Sequence, residues 1–167
     1  MKKLFALVMI FSFITSFLLA NSLELGSPAP QLKVLTDQGT TLDLGEALSV
    51  GTTLVFFYPK AMTPGCVKQA CSLRDGWDEL QSRNVSIFGV SSDTAKTQAQ
   101  FRDKYTLPFT LLADTDGQIA DAFSKSRWSR QAYIFKDGIL VWRDLKAATS
   151  KQATEILAAL DELEPNS

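Results

Sequence analysis

Residues 53–71 constrain the fold more than any other part of the chain, because an apolar run changes there to a segment rich in proline and cysteine. The run at 53–58 is β-branched and aromatic, and its short length is typical of a buried strand. Pro59 ends the run, since proline lacks the N–H that a sheet ladder needs. The segment therefore predicts a central strand that stops at Pro59.

A helix is predicted to begin shortly after this strand. Thr63 suits the N-cap position, and Pro64 suits the first helical position, where a missing N–H costs nothing. Apolar residues then recur at helical spacing as far as about Gln81. This register puts Cys66 in the first turn, where unpaired N–H groups and the helix dipole stabilise an anion such as a thiolate.

The second cysteine, Cys71, lies five residues further along the same helix. Five residues correspond to about 140° of rotation and roughly 7.5 Å of rise, and a disulfide needs Cα atoms within about 7 Å and Cβ vectors that meet. Cys66 and Cys71 therefore cannot bridge while the helix is intact, and a pair that bonds only after local unwinding suits a redox cycle better than a permanent crosslink. Position alone leaves Cys66 as either a nucleophile or a small buried apolar residue.

Composition excludes several classes of function. The chain contains no histidine, which excludes Ser-His and Cys-His catalysis. Two cysteines alone are a poor ligand set for zinc or copper, so neither a metal site nor a cofactor is expected. The formal net charge is −1 and no basic cluster is present, which argues against nucleic-acid binding. The length, 167 residues, suits one domain with a substantial core.

Residues 1–22 have the layout of a secretory signal peptide. Two lysines precede an apolar run, and small residues follow it, so we expect cleavage after Ala20 or after Ser22. The alternative is an uncleaved membrane anchor, although the run is slightly short for a spanning helix of about 20 residues. We therefore expect an exported protein, in a periplasm or thylakoid lumen, with a single domain at 23–167 and no stable membrane association after cleavage.

Strand and helix patterns alternate along the chain. Strands are predicted at 31–36, 40–44, 53–58, 85–90, 109–113, 131–135 and 139–143. Besides the helix that carries the cysteines, helices are predicted at 95–105, 119–123 and 150–163, with Ser91, Ser92 or Asp93 as the cap of the first. Turn signals at 37–39 and 136–138 predict two β-hairpins. This order indicates an α/β fold.

The motif Pro59-x-x-x-Thr63-x-x-Cys66 resembles the active-site motif of peroxiredoxins. The longer string Phe57-Tyr-Pro-Lys-Ala-Met-Thr-Pro-Gly-Cys-Val-Lys-Gln-Ala-Cys71 resembles the peroxiredoxin Q, or bacterioferritin-comigratory, subfamily. The resemblance continues at 27–30, 89–93, 104–114 and 130–135. It implies a thioredoxin-like fold, in which a central mixed sheet is flanked by helices, with an N-terminal β-hairpin extension.

The resemblance implies a thiol peroxidase that reduces hydrogen peroxide and organic hydroperoxides. Cys66 corresponds to the peroxidatic cysteine, whose thiolate attacks the peroxide and becomes a sulfenic acid. Cys71 corresponds to the resolving cysteine, which would form an intramolecular disulfide in an atypical 2-Cys cycle. A thioredoxin-like donor would then reduce that disulfide. Members of the subfamily are often monomeric, and we expect a monomer.

Further site residues follow from the same resemblance. Thr63, Gly65 and Arg130 would bind the peroxide, through a hydroxyl, backbone N–H groups and a guanidinium respectively. Arg130 would also stabilise the thiolate; its alternative is a solvated loop arginine, which suits neighbouring Arg127 better. Pro59 would shield the thiolate from solvent as well as end the strand.

Three alternative functions are weighed against thiol peroxidase activity. An exported thiol–disulfide oxidoreductase without peroxidase activity generally uses Cys-x-x-Cys, whereas four residues separate the cysteines here. A metallochaperone on the same fold would need a histidine, which the chain lacks. A non-enzymatic binding module would use Cys66–Cys71 as a permanent disulfide and would not react with peroxide.

Overall fold

The computed structural model describes residues 23–126 and 128–164. The expected leader at 1–22, its cleavage sites, Arg127 and residues 165–167 lie outside the described part. Among the described residues, each helix is too short or too polar to cross a membrane.

Seven strands of the described chain form one mixed sheet. They are β1 (Lys33–Thr36), β2 (Thr41–Asp43), β3 (Thr52–Phe57), β4 (Val85–Ser91), β5 (Thr110–Ala113), β6 (Gln131–Lys136) and β7 (Ile139–Asp144). Their order across the sheet is β2-β1-β5-β4-β3-β6-β7. The pairs β3–β4 and β4–β5 are parallel, and the others are antiparallel. All seven predicted strands are therefore present, with bounds shifted by at most a few residues.

Both predicted hairpins are confirmed. β1 pairs with β2, and β6 pairs with β7, in each case antiparallel. In the second turn Asp137 has φ 48° and Gly138 has φ 82°. Positive φ at both central residues is what a tight two-residue hairpin needs, because it matches the twist of the flanking strands.

Helices cover both faces of the sheet. They are α1 (Leu44–Leu48), α2 (Pro64–Asp75), α3 (Trp77–Ser82), α4 (Ala95–Tyr105), α5 (Gln118–Ala122) and α6 (Gln152–Leu163). Successive residues of β3 contribute to two separate core clusters, as the alternation of a strand requires. Leu54 and Phe56 belong to the cluster that includes α2, α3, α4 and α6, whereas Val55 and Phe57 belong to the cluster that includes α1 and α5. The α/β prediction is thus confirmed.

Helix α1 is missing from the sequence prediction, which assigned Leu44 to a strand. The strand β2 ends at Asp43, and the Asp43 side chain accepts a hydrogen bond from Glu46 N–H at 3.1 Å. This bond satisfies one of the first helical donors, which is why the chain turns into a helix there.

The prediction of one helix from Thr63 to about Gln81 is wrong. The segment forms two helices, α2 and α3, which meet at Gly76 with φ −90° and ψ 9°. A Cβ built on Gly76 would lie 2.8 Å from the Cβ of Ala153 in α6. The glycine therefore permits a close approach of α6 at the point where the helical backbone is interrupted.

The predicted caps of α4 are also wrong. Thr94 is the N-cap residue, and its hydroxyl accepts from Thr97 N–H at 3.2 Å. Ser91 is still in β4, and the Asp93 carboxylate accepts from Ala61 N–H at 2.7 Å. Asp93 is thus used to tie together the loops that follow β3 and β4.

Gly76→Ala is expected to lower the free energy of unfolding by about 1–3 kcal/mol, because a methyl group would be forced into a packed contact. Guanidinium denaturation of reduced protein would measure this. Adding Ala153→Gly removes the opposing Cβ, so the double variant should lose less than the sum of the two single variants. If the two losses in free energy of unfolding simply add, the contact with Ala153 is not the reason why a side chain at position 76 is unfavourable.

Candidate active site

Cys66 lies in the first turn of α2, as predicted, and its side chain is only 1% exposed. It belongs to the same core cluster as Ala70 and Leu73 of α2. Cys71 is partly exposed, and neither cysteine is bridged. The two cysteines therefore point away from each other on an intact helix, as the spacing predicted.

The N-terminus of α2 is left open for an anion. The hydrogen bond from Val67 N–H to the Thr63 carbonyl, at 2.9 Å, begins the helical ladder. The N–H groups of Gly65 and Cys66 precede this bond and have no carbonyl partner within the helix. They supply donors and the positive end of the dipole beside the Cys66 sulfur.

Thr63 occupies the predicted N-cap position, but its side chain makes no capping hydrogen bond. Its hydroxyl instead donates to the Lys60 carbonyl at 2.9 Å, within the loop that leads into the helix. The prediction of Thr63 as the N-cap residue is therefore confirmed, although the side-chain hydrogen bond of a usual cap is absent. Because no side-chain cap occupies them, the first-turn N–H groups stay available for a ligand. The Thr63 hydroxyl oxygen can also still accept a hydrogen bond.

Arg130 lies in the loop just before β6 and points at the cysteine. Its Nη2 donates to Cys66 Sγ at 3.5 Å. A Cβ on Gly65 would be 3.2 Å from Arg130 Nη2 and 3.7 Å from Cγ2 of Thr149. A glycine at 65 thus leaves room for the guanidinium. The structure therefore brings three predicted site residues, Gly65, Cys66 and Arg130, into one cluster.

Gln69 belongs to this cluster and was missed by the sequence analysis. Its Oε1 accepts a hydrogen bond from Arg130 Nη1, and the side chain is fully buried. Its Nε2 donates to Oε1 of Gln152 in α6 at 2.7 Å. The available signal was its spacing, since a polar residue three positions after Cys66 lies on the same, apolar side of the helix.

Pro59 and Tyr58 lie where β3 leads into the active-site loop. Pro59 is half-buried, and its role as a shield for the sulfur stays a prediction. Tyr58 is fully buried and donates a hydrogen bond to Gln98. Burial raises the pKa of Tyr58 far above its ordinary range, so the phenol stays neutral.

A cavity of about 190 Å³, separate from the Cys66 cluster, lies at the carboxyl ends of the parallel strands and is lined by Phe57, Asp114 and Lys125 among others. Lys125 Nζ lies 4.9 Å from the centre of the Phe57 ring. Burial lowers the pKa of Lys125 from 10.5 to about 8, and the Asp114 carboxylate opposes this shift only in part. Burial also raises the pKa of Asp114.

Comparison with known proteins gives a consistent result. Residues 25–143 match the AhpC/TSA family. The peroxiredoxin Bcp of Escherichia coli K12 is 40% identical over 121 residues, which cover 71% of this chain and 76% of that protein. The peroxiredoxin Bcp of Bacillus subtilis 168 is 38% identical over 102 residues, or 61% of this chain and 64% of that protein.

Solved structures agree. The peroxidoxin BcpB of Mycobacterium tuberculosis superposes with a TM-score of 0.77 at 29% identity, covering 84% of this chain and 97% of that one. A peroxiredoxin Q of Xanthomonas campestris gives a TM-score of 0.74 at 26% identity, covering 79% of this chain and 91% of that one. The predicted thioredoxin-like fold is confirmed.

The buried Lys125 predicts a dependence of stability on pH. Its folded-state pKa of about 8 lies below the ordinary 10.5, so between these values the unfolded chain binds more protons and the free energy of unfolding rises with pH. This contribution is lost as the pH falls through about 8. Lys125→Met should abolish it. Urea denaturation across this pH range, with both cysteines replaced by serine in each protein, would measure it; equal slopes for the two proteins would contradict it.

Proposed function

This chain belongs to the AhpC/TSA family, as a peroxiredoxin of the Bcp or peroxiredoxin Q subfamily, and from that premise we propose that it reduces hydrogen peroxide and organic hydroperoxides through Cys66. In this proposal Cys71 resolves the oxidised form as an intramolecular disulfide, and a thioredoxin-like donor restores both thiols.

One observation carries the proposal: a guanidinium nitrogen of Arg130 lies 3.5 Å from Cys66 Sγ at the open N-terminus of a helix. A cation, which keeps its charge at any working pH, stabilises the thiolate in a partly dry site. The same guanidinium and the N–H groups of Gly65 and Cys66 can donate to the peroxide oxygens. Such fixed donors are most effective where negative charge develops in the transition state.

In the first step the Cys66 thiolate attacks one peroxide oxygen. An S–O bond forms and the O–O bond breaks, so the sulfur loses two electrons and the peroxide gains them. The departing hydroxide or alkoxide takes up a proton and leaves as water or alcohol. Cys66 is left as a sulfenic acid, which a second thiol can reduce. Arg130 acts here as a fixed positive charge and not as a proton donor in the reaction, because a guanidinium does not give up its proton.

In the second step the Cys71 sulfur attacks the Cys66 sulfur, an S–S bond forms and water leaves. The geometry supports a structural change between the two steps. Both cysteines lie in α2, and their spacing prevents a disulfide on an intact helix. At least the first turns of α2 must therefore unwind. A dithiol donor then reduces the disulfide by two exchange reactions.

An exported thiol–disulfide oxidoreductase without peroxidase activity is not favoured. In the reduced, folded chain, Cys66 would have to attack a disulfide of a protein partner, but its side chain is 1% exposed. A small peroxide needs much less access. Export, to a periplasm or thylakoid lumen, and a monomeric state remain part of the proposal; export depends on the leader-like composition of residues 1–22.

The proposal is tested by counting thiols in the reduced chain, without its leader, after one equivalent of hydrogen peroxide. The unmodified protein should lose both thiols rapidly to an intramolecular disulfide. Cys71→Ser should stop at a sulfenic acid on Cys66, detected as one added oxygen by mass spectrometry. Cys66→Ser is the matched control and should keep its remaining thiol. Thiols that survive, or that react no faster than free cysteine, would refute peroxidase activity.

A further inference from the structure

Two buried glutamines connect the active-site helix to the C-terminal helix. Gln69 in α2 and Gln152 in the first turn of α6 are both 0% exposed. Gln69 Nε2 donates to Gln152 Oε1 at 2.7 Å, across 83 residues of sequence. At its other end, Gln69 accepts from Arg130, which in turn contacts the Cys66 sulfur. A continuous chain of hydrogen bonds thus runs from α6 to the reactive sulfur.

The direction of every bond in this chain is fixed by the guanidinium. Arginine has donors but no acceptor, so Gln69 must turn its oxygen to Arg130 and its amide nitrogen to Gln152. Gln152 must then present its oxygen. Its own Nε2 is buried and has no hydrogen-bond partner among the described residues. A buried donor without a partner lowers the free energy of unfolding. Here the Gln152 nitrogen has no partner in the described part of the chain, while the oxygen of the same amide accepts the hydrogen bond from Gln69.

We propose that Gln152 is a positioning residue for peroxide reduction, which holds the Arg130 guanidinium toward Cys66 by fixing the amide of Gln69. This inference rests on the proposed function. Without the Gln152 oxygen, the amide nitrogen of Gln69 loses its acceptor and the amide is no longer held in one orientation. If the amide turns over, its donor faces the donors of Arg130, and the guanidinium loses the acceptor that orients it.

A second connection between the same helices provides a control. Ala153 N–H donates to Ser72 Oγ at 3.1 Å, which ties α6 to α2 without involving either amide. Ser72→Ala removes this bond and loosens the same helix pair. If Gln152 acts only as an anchor of α6, Ser72→Ala should therefore change the rates in the same way as a substitution of Gln152. If Gln152 orients Arg130, the two substitutions should have different effects.

The test replaces Gln152 with methionine, which has a similar length but no acceptor oxygen. The second-order rate with hydrogen peroxide should fall roughly three- to tenfold, the equivalent of one hydrogen bond. Alkylation of Cys66 by iodoacetamide, measured in a Cys71→Ser background and at an alkaline pH where a thiol is ionised without help from a cation, should change less than about twofold. Gln152→Glu keeps an acceptor for Gln69 and should restore most of the peroxide rate. Ser72→Ala should leave the ratio of the two rates unchanged.

Two further measurements separate this inference from the proposed function. In an Arg130→Met background, Gln152→Met should cause no additional loss of peroxide rate. By NMR, which needs no peroxide, the Arg130 guanidinium protons should exchange with water faster in Gln152→Met than in wild type. An unchanged guanidinium signal, or an equal fall in the rate ratio in Ser72→Ala, would overturn the inference. A wild type that is alkylated but does not react with peroxide would instead refute the proposed function.

Discussion

The contact between Arg130 and Cys66 depends on how the rest of the fold is built, because its two residues are 64 positions apart in sequence. The pairing of β3 with β6 brings them together, since Phe57 is in register with Gln131. The loop that follows β3 and the loop that precedes β6 therefore lie at the same edge of the sheet. α2 starts at this edge, and Gly65 leaves space for the guanidinium. The pairing of β3 with β6 thus places the Arg130 cation at the N-terminus of α2.

In the proposed cycle, the same helix serves two states with opposite structural requirements. The proposed reaction with peroxide uses the folded α2, in which the Cys66 sulfur is buried beside Arg130. The proposed disulfide with Cys71 would need part of α2 unwound. The contacts of the helix are distributed unevenly: its first turn lacks a side-chain cap, whereas its later turns are tied to α6 through Gln69 and Ser72. Local opening is easiest where few contacts resist it, so the N-terminal turn of α2 is the part expected to open first.

Local patterns in the sequence were sufficient for the central strand, the first turn of α2, both hairpins and α4, because each depends on neighbouring residues. Some of the failures involve partners that are distant in sequence: Gly76 packs against Ala153, and Gln69 bonds to Arg130 and Gln152. The missed helix α1 and the wrong cap of α4 depend instead on local hydrogen bonds, from Glu46 N–H to Asp43 and from Thr97 N–H to Thr94. Arg130 itself was identified from the family resemblance and not from any periodicity. The leader and the domain boundary at 23 stay predictions, since residues 1–22 lie outside the described part.

Amide hydrogen exchange, measured on the reduced protein and on the protein oxidised by one equivalent of peroxide, tests directly whether α2 unwinds. We expect the amides between Cys66 and Cys71 to lose protection in the disulfide form, while those of β4 and α4 keep it. A disulfide form in which α2 is protected as fully as in the reduced protein would contradict the claim that one helix alternates between a peroxide-reactive folded state and an unwound state.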